Sequence, residues 1–318
     1  MRAVVHERYG GPDVLTLRDV PAPTPAKGQV LVEVVATSLN LSDWETLLGS
    51  PAYSRIGGLR TPARPVLGSD IAGRIAATGP GVTRFTVGDE VYGDNLQLKG
   101  GFAEYAVAPE SALALKPSEL SFVQASTIPQ AGVIAMQGVA GAKPGARVLI
   151  NGAGGGSGAF AIQLAKRAGA HVTGVDNAGK LDFMRRLGAD EVIDYRREDF
   201  TRTGPYDLVL DNVAHRSVFA CRRALARGGR YRCAGGTTRA LLRTVTAGTL
   251  VGLLTGRRLG VLVVRMGPDH FTALTDLCVA GEVDIHIDRT FTLEQTADAL
   301  AHVGEGRALG KVVVTIAD

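Results

Sequence analysis

The run Arg147-Val148-Leu149-Ile150-Asn151-Gly152-Ala153-Gly154-Gly155-Gly156-Ser157-Gly158 passes without a break from apolar residues into glycines. Glycines at a strand-to-helix junction permit a tight turn. They also let backbone N–H groups approach a pyrophosphate at the helix N-terminus, where the helix dipole favours negative charge. A side chain at Gly155 or Gly158 would block that approach or the packing of helix on strand. The next apolar segment, His171–Val175, ends at Asp176, 21 positions beyond Gly155. A carboxylate there accepts hydrogen bonds from both hydroxyls of a ribose and repels a 2′-phosphate. Ala153, Gly154, Gly155, Gly156, Ser157, Gly158 and Asp176 are therefore candidates for a dinucleotide site, and Asp176 taken alone favours NAD(H). The competing accounts are a glycine-rich turn that holds no ligand, and an Asp176 that only caps the next helix near Asn177.

Such a site needs a strand, a helix and a second strand, and the surrounding pattern supplies them. Arg147–Asn151 reads as a buried strand, Ala159–Ala168 as a helix with Phe160, Ile162, Leu164 and Ala165 apolar, and His171–Val175 as the next strand. The alternation continues through helix Leu181–Leu187, strands Glu191–Asp194 and Leu208–Asn212, helix Val218–Leu225 and strand Arg230–Ala234. That spacing predicts an α/β domain with a doubly wound parallel sheet. Ser121–Ser126 reads as a helix start capped by Ser121. Upstream, Gln29–Ala36, Gly68–Ala77 and Gly88–Tyr92 read as short strands punctuated by turns such as Thr78-Gly79-Pro80-Gly81, the pattern of a barrel or sandwich. Residues 237–267 are apolar with interspersed arginines and read either as helix or as a mobile segment beside the substrate. The tail holds helix Gln295–Val303 and strand Gly310–Ile316.

Bulk properties narrow the function classes. A chain of 318 residues suggests two domains, and 45% hydrophobic with 21% charged residues is the composition of a soluble globular protein. Lys and Arg number 35 against 31 acidic residues, a net +4, but they are scattered rather than massed on one run, which argues against a nucleic-acid partner. The apolar stretch Ala247–Leu254 falls well short of the ~20 residues that span a bilayer, and Met1–Glu7 carries no signal-peptide core. Cys221, Cys233 and Cys278 are odd in number and widely spaced, which fits reduced thiols better than a disulfide framework. The expectation is a cytoplasmic protein acting on a small molecule, with no membrane partner.

Five further segments stand in order around the glycine turn: Asn40-Leu41-Ser42-Asp43-Trp44, Pro65–Gly73, Gly88–Gly93, Gly100–Tyr105 and Gly306–Val314. Together they resemble the zinc-free members of the medium-chain dehydrogenase/reductase superfamily, of quinone oxidoreductase and enone reductase type. Asn40–Asp43 resembles their N-x-x-D stretch. Pro65–Gly73 resembles their P-x-x-x-G-x-D-x-x-G signature, with one residue fewer after Pro65, and Gly306–Val314 resembles their G-x-x-x-G-K-V-V end. The resemblance spans nearly the whole chain. It implies a GroES-like β-barrel domain over residues 1–120, completed by about 268–318, a Rossmann domain over 121–267, and a homodimer.

The resemblance also carries site residues. Zinc-dependent members of the superfamily bind the metal through a Cys and a His of the first domain. Here Ser69 of Gly68-Ser69-Asp70 stands at the His, and no Cys precedes Cys221, so no metal site is expected. Zinc-free relatives usually take NADPH, with a small polar residue at the place of Asp176, a Lys four places on, and a Tyr after the next strand. Lys180 and Tyr195 match and Asp176 does not. The balance favours NADPH, with NADH as the alternative, and the rates with the two should then differ by no more than roughly a hundredfold.

Val213, Ala234 and Gly235 are expected beside the nicotinamide. Asn40 and Tyr53 match residues that line the relatives' cleft near nicotinamide and substrate. There Asn40 would orient the substrate oxygen or the carboxamide, and Tyr53 would donate a hydrogen bond or proton to a developing enolate. The structural alternatives are an Asn40 that satisfies backbone groups at a strand end and a Tyr53 that packs in a loop. Asp43 reads as the cap of a Trp44–Leu48 helix, Trp44 as packing, and His215 as a surface or cap residue with a proton relay as the alternative. Ile134 stands where relatives usually carry Thr, with Gln130 as the nearby substitute donor. The expected activity is NAD(P)H-dependent hydride transfer to a quinone, enone or similar activated carbonyl or alkene, without zinc. The alternatives are a reductase dedicated to one specialised biosynthetic substrate and a non-catalytic dinucleotide-binding protein.

Overall fold

The computed structural model describes residues 1–316. The chain divides into two units, residues 1–131 with 265–318, and residues 132–264. In chain order the first unit opens with β1 (Arg2–Val5), β2 (Thr16–Asp19), β3 (Gln29–Ser38), α1 (Leu41–Leu48), β4 (Asp70–Thr78), β5 (Glu90–Asp94), β6 (Tyr105–Pro109), β7 (Leu113–Leu115) and α2 (Phe122–Ser126). Helix α3 (Pro129–Val139) leads into β8 (Arg147–Asn151), α4 (Gly156–Arg167), β9 (His171–Asp176), α5 (Leu181–Arg186), β10 (Glu191–Asp194), β11 (Tyr206–Asp211), α6 (Val218–Ala224), β12 (Leu225–Cys233), α7 (Thr238–Arg243), α8 (Thr249–Thr255) and β13 (Arg258–Val261). The first unit then resumes with α9 (Pro268–Val279), β14 (Ile287–Thr292), α10 (Thr296–Gly304) and β15 (Lys311–Thr315).

The first unit is built on a seven-stranded sheet in the order β14-β15-β3-β4-β5-β7, with β6 also paired to β3. Strand β3 is its spine. Val30, Val32, Val34 and Ala36 alternate into the core, as a half-buried strand requires, and the other face alternates outward. The strand pairs with β4 along its length, with β6 over Gln29–Glu33 and with β15 over Ala36–Ser38. The chain's last strand thus sits beside its third. Trp44 packs against α10: a Cβ at Gly304 would overlap its indole ring, which is the packing role expected of it.

The second unit is a six-stranded parallel sheet in the order β10-β9-β8-β11-β12-β13. Its central strands β8 and β9 are buried almost throughout, as in parallel sheets generally. The order reverses across β8, so the C-terminal ends of β8, β9 and β11 open at a switch point.

Three expectations shift. The first helix begins at Leu41 rather than Trp44, because Asn40 is extended (ψ 156°) and forms the N-cap, while Asp43 lies inside the first turn and accepts the Asn40 N–H (3.1 Å). Strand β12 starts at Leu225 rather than Arg230. Residues 237–267 hold α7, a π-helical turn over Thr244–Gly248, α8 and a sixth strand, β13. That strand is four residues long and includes Arg258 and Gly260, too short and too polar to signal a strand by pattern alone.

Candidate functional site

The expected site residues fall into two groups, one in each unit. In the second, the glycine turn joins β8 to α4. Gly152 has φ +80°, a left-handed conformation that glycine adopts without cost. Gly158 sits where a Cβ would come within 2.5 Å of Ala153 Cα, so the first turn of α4 lies directly on the turn below it. Gly155 is different: a Cβ there would meet only Gly152 O at 3.6 Å, an ordinary contact, so helix packing does not demand glycine at this position. No side chain caps α4, and its N-terminal N–H groups remain available to an anion.

Asp176 ends β9 and is buried. Its carboxylate accepts the N–H of Gly154 (3.0 Å) and both the N–H (2.9 Å) and the side-chain amide (3.2 Å) of Asn177. The cap of the next short helix is Asn177, whose Oδ1 accepts the Gly179 N–H (3.0 Å). The Asp176 side chain ties the strand end to the glycine turn instead. Lys180, also buried, places its ammonium 3.7 Å from Asp176 Oδ1, and a Cβ at Gly154 would meet Lys180 Cδ at 2.5 Å. Tyr195 joins through its backbone, donating to Asp176 O (3.1 Å), and its ring is exposed. Arg196, not among the residues expected from sequence, lies 5.7 Å from the Tyr195 ring centre. Its signal was present in the basic pair that follows Tyr195.

At the end of β11, Asp211 is fully buried and fully engaged. It accepts from Asn151 Nδ2 (2.8 Å), Val213 N (3.0 Å), Ala214 N (2.7 Å) and the Tyr231 hydroxyl (2.8 Å). These bonds hold the 212–214 loop over Gly152, with Val213 Cγ2 3.2 Å from where a Gly152 Cβ would be. Ala234 donates to Asp211 O (2.9 Å), and Gly236, with φ +112°, packs on Ala214. Asn212 exceeds the sequence reading: both polar atoms of its side chain are buried without a partner. An orphaned amide beside a glycine turn fits a ligand that would complete it. The expected dinucleotide residues Ala153–Gly158, Asp176, Lys180, Tyr195, Val213, Ala234 and Gly235 thus gather at the C-terminal ends of β8–β12. His215 is exposed.

The first unit holds a buried charge cluster. Asn40 Nδ2 donates to Asp70 Oδ2 (2.9 Å) and approaches Ser69 Oγ (3.4 Å), and its Oδ1 accepts from Lys311 Nζ (2.8 Å). Lys311 Nζ also lies 3.5 Å from Asp70. Asp43 faces Lys99 at 3.4 Å. Gln130 accepts from Ser42 Oγ (2.8 Å), donates its backbone N–H to Asp70 (3.1 Å), and turns its Nε2 to Ser69 and Asp94, each at 3.4 Å. Asn40 therefore does more than close a strand end, but its amide is spent on Asp70 and Lys311. Of Asp70, Lys99 and Lys311, which pattern reading did not assign, two stand inside the quoted motifs as opposite charges awaiting partners.

Asp43, Asp70 and Asp94 outnumber Lys99 and Lys311. Asp94 is the acid left over: its Oδ1 is buried without a partner. Burial first, then the neighbouring Asp70, push its carboxyl up to about 8, so at neutral pH it is protonated. Burial likewise raises Asp70 and lowers Lys311, each opposed by the other's charge.

Tyr53 does not pack in isolation: its hydroxyl donates to Glu45 Oε2 (3.1 Å) of α1. Burial raises the Glu45 pKa, with the Tyr53 hydrogen bond opposing. Ile134 is half-buried. Among the described residues no group of three His, Cys, Asp or Glu side chains is disposed to hold a metal ion, and no helix is long and apolar enough to cross a membrane. The three cysteines are free thiols, raised by burial to about 12, 11 and 12 for Cys221, Cys233 and Cys278.

Comparison with known proteins places these features in context. Residues 26–118 match the family described as alcohol dehydrogenase GroES-like domain, and residues 187–314 match that described as zinc-binding dehydrogenase. The chain is 33% identical over 333 residues to the chloroplastic quinone oxidoreductase QR1 of Triphysaria versicolor, covering 99% of this chain and 98% of that one. It is 32% identical over 330 residues to the chloroplastic NADPH-dependent alkenal/one oxidoreductase of Arabidopsis thaliana, covering 99% and 79%. Among solved structures, the quinone oxidoreductase from Coxiella burnetii superposes with a TM-score of 0.89 at 31% identity over 99% of both chains.

Proposed function

We infer the following for a chain that belongs to the medium-chain dehydrogenase/reductase superfamily, in its quinone oxidoreductase type: it is an NADPH-dependent oxidoreductase that reduces a quinone, enone or similar activated carbonyl or alkene. NADH is retained as an alternative donor. The observation that carries the reading is the glycine turn, whose Gly158 admits no Cβ and whose helix N-terminus is uncapped, beside Asp176, Lys180 and the orphaned amide of Asn212.

Bound NADPH supplies a hydride from its nicotinamide ring. The turn and the α4 N-terminus would hold its pyrophosphate, and Lys180, Tyr195 and Arg196 would serve a 2′-phosphate. That role requires Lys180 to leave Asp176, or the phosphate to approach Lys180 from the side away from it. Val213, Ala234 and Gly235 shape the nicotinamide end. We assign Tyr53 as the group that protonates the enolate oxygen formed when hydride reaches the conjugated carbon. The Tyr53 hydroxyl donates to Glu45 Oε2 and would turn from it to the substrate oxygen; burial raises the Glu45 pKa, which favours that release. Asn40 is a positioning residue, because its amide is held by Asp70 and Lys311. The reaction is proposed to need no zinc: Ser69, buried and bonded within the cluster, offers a hydroxyl where a metal would call for imidazole or thiolate. A cytoplasmic homodimer is the proposed setting.

The test is oxidation of NADPH and NADH, followed at the nicotinamide absorbance, against quinones, α,β-unsaturated ketones and aldehydes, with and without a zinc chelator. Turnover of several acceptors, unaffected by the chelator and within about a hundredfold between cofactors, is the expected result. Tight cofactor binding with no turnover of any acceptor would turn the reading toward a non-catalytic role.

A further inference from the structure

Residues 49–66 lead from α1 towards β4 with a single helical turn of their own, Ala52–Arg55. Tyr53 lies in that turn. Ile56 and Leu59 of the same segment stand in solvent, 83% and 78% exposed, so apolar packing does little to hold it. Fixing the backbone of one residue costs about 1–2 kcal/mol, and contacts other than burial have to offset that cost here.

The N-terminal segment supplies them. Gly10 N donates to Leu47 O (3.0 Å) just before residues 49–66 begin. Near their end, Pro65 O accepts both the backbone N–H and the Nδ1 proton of buried His6 (2.9 Å each). Between these ties Tyr9 and Arg55 form a clasp. The Tyr9 hydroxyl donates to Gly58 O, and the Arg55 guanidinium lies over the Tyr9 ring, 4.7 Å from its centre. Arg55 Nε donates to Gly49 O (2.8 Å) and its Nη1 to Leu59 O (3.4 Å), so one side chain ties the backbone before the turn to the backbone after it. Gly49 has φ +61°, and a Cβ there would meet the Tyr9 ring at 2.7 Å and Arg55 Nε at 2.8 Å. Backbone, ring and guanidinium are therefore in direct contact. No Asp or Glu stands between Glu45 and Asp70 in the chain, and the guanidinium is spent on carbonyls and a ring, both strong partners for a cation.

We propose that Arg55 and Tyr9 are positioning residues for Tyr53. They hold the turn so that the Tyr53 hydroxyl passes from Glu45 to the substrate oxygen by rotation of its own side chain, with the backbone beneath it fixed. The proposal rests on the reading of Tyr53 as the proton donor. The clasp matters to the rate because a displacement of about 1 Å at a reacting group costs on the order of a hundredfold, and a segment with so little packing would otherwise sample such displacements.

The test is a double-variant cycle in the full chain, read by steady-state kinetics with an acceptor that the wild type turns over, together with amide hydrogen exchange. Arg55→Met should lower kcat about tenfold and Tyr9→Phe about threefold, with KM for NADPH unchanged in both. Arg55→Lys, which keeps the charge and one donor, should recover part of the Arg55→Met loss. In the Tyr53→Phe background neither Arg55→Met nor Tyr9→Phe should lower kcat further, because the group they position is gone. A merely structural role would instead give losses that multiply. The amides of Ile56 and Gly58 donate to Tyr53 O (3.1 Å) and Arg55 O (3.0 Å), and their exchange should quicken at least about tenfold in Arg55→Met while the amides of β3 exchange as in wild type. Tyr9→Phe removes a single hydroxyl and serves if Arg55→Met does not fold. Multiplying losses in the cycle, or unchanged exchange at Ile56 and Gly58, would overturn the positioning role and leave Tyr53 as the donor. Wild-type kcat in Tyr53→Phe, or a wild type that turns over no acceptor, would overturn the donor reading and the positioning role with it.

Discussion

The two units place polar groups at their candidate sites by opposite means. The second unit uses its main chain: the glycine turn, an uncapped helix end, and an Asp211 whose four hydrogen bonds fix the neighbouring loop. The first unit uses side chains drawn from six separate segments, Asn40, Asp43, Asp70, Asp94, Lys99, Gln130 and Lys311, and leaves one acid without an ionic partner. A main-chain site depends on where a Cβ is absent. A side-chain cluster depends on every charge having its partner, so the two should fail differently when altered.

The largest effect is expected in the side-chain cluster. Lys311→Met removes the ammonium that Asp70 and Asn40 share in the core and should destabilise the protein by about 3–5 kcal/mol in urea unfolding, the usual result of orphaning one member of a buried pair. Adding Asp70→Asn should restore part of that loss. No recovery would mean that the two do not act as a pair.

In the main-chain site, Gly158→Val should raise the NADPH dissociation constant at least about a hundredfold, or about 2.7 kcal/mol, read by cofactor fluorescence. Wild-type affinity in that variant would break the contrast, since the site would then tolerate a Cβ where the helix meets the turn.

Asp94 sharpens the contrast through pH. An unfolded Asp ionises near pH 4, whereas in the folded state Asp94 keeps its proton up to about 8. The folded state therefore holds the extra proton between those values, and stability falls as pH rises across that window, then levels above it. Asp94→Asn removes this slope. Its stability relative to wild type should be at least on the order of 2 kcal/mol better at pH 8.5 than at pH 5. Parallel pH profiles for the two proteins would show that Asp94 ionises normally.

Smaller changes are expected where a side chain only adjusts chemistry or choice. Tyr53→Phe should lower kcat about tenfold with little change in KM for NADPH, since solvent can replace a lost proton donor in part, and the pH dependence of kcat should change with it. Lys180→Ala should lower kcat/KM for NADPH about tenfold and leave NADH nearly unaffected. An equal loss with both cofactors would mean that Lys180 supports Asp176 and the turn rather than a 2′-phosphate.

Legibility followed the same division. Strands Arg147–Asn151 and Glu191–Asp194 and the Ser121 cap were readable to the residue, because each is encoded within a few positions by apolar runs and a cap residue. Strand β13 was not, being short, polar and at an edge. The glycine turn was legible because its requirement is local, although Gly155 proved freer than the motif suggests. Arg196 had a local signal in the basic pair after Tyr195, whereas Glu45 and Asn212 escaped because nothing in their own neighbourhood of the chain reveals a hydroxyl partner or an unsatisfied amide.

By itself, the sequence determined a parallel α/β unit with a glycine turn and a β-rich unit, since periodicity and glycine placement act over short distances; the family, and the C-terminal strand that completes the β-rich unit, came from the resemblance of five ordered motifs to known relatives. Only the tertiary structure decided that Asn40 is held by Asp70 and Lys311, that Asp176 binds the glycine turn and pairs with Lys180, and that Asp94 is the acid without an ionic partner. Burial, charge balance and hydrogen-bond saturation are sums over residues distant in the chain, and they take a value only once the chain has folded.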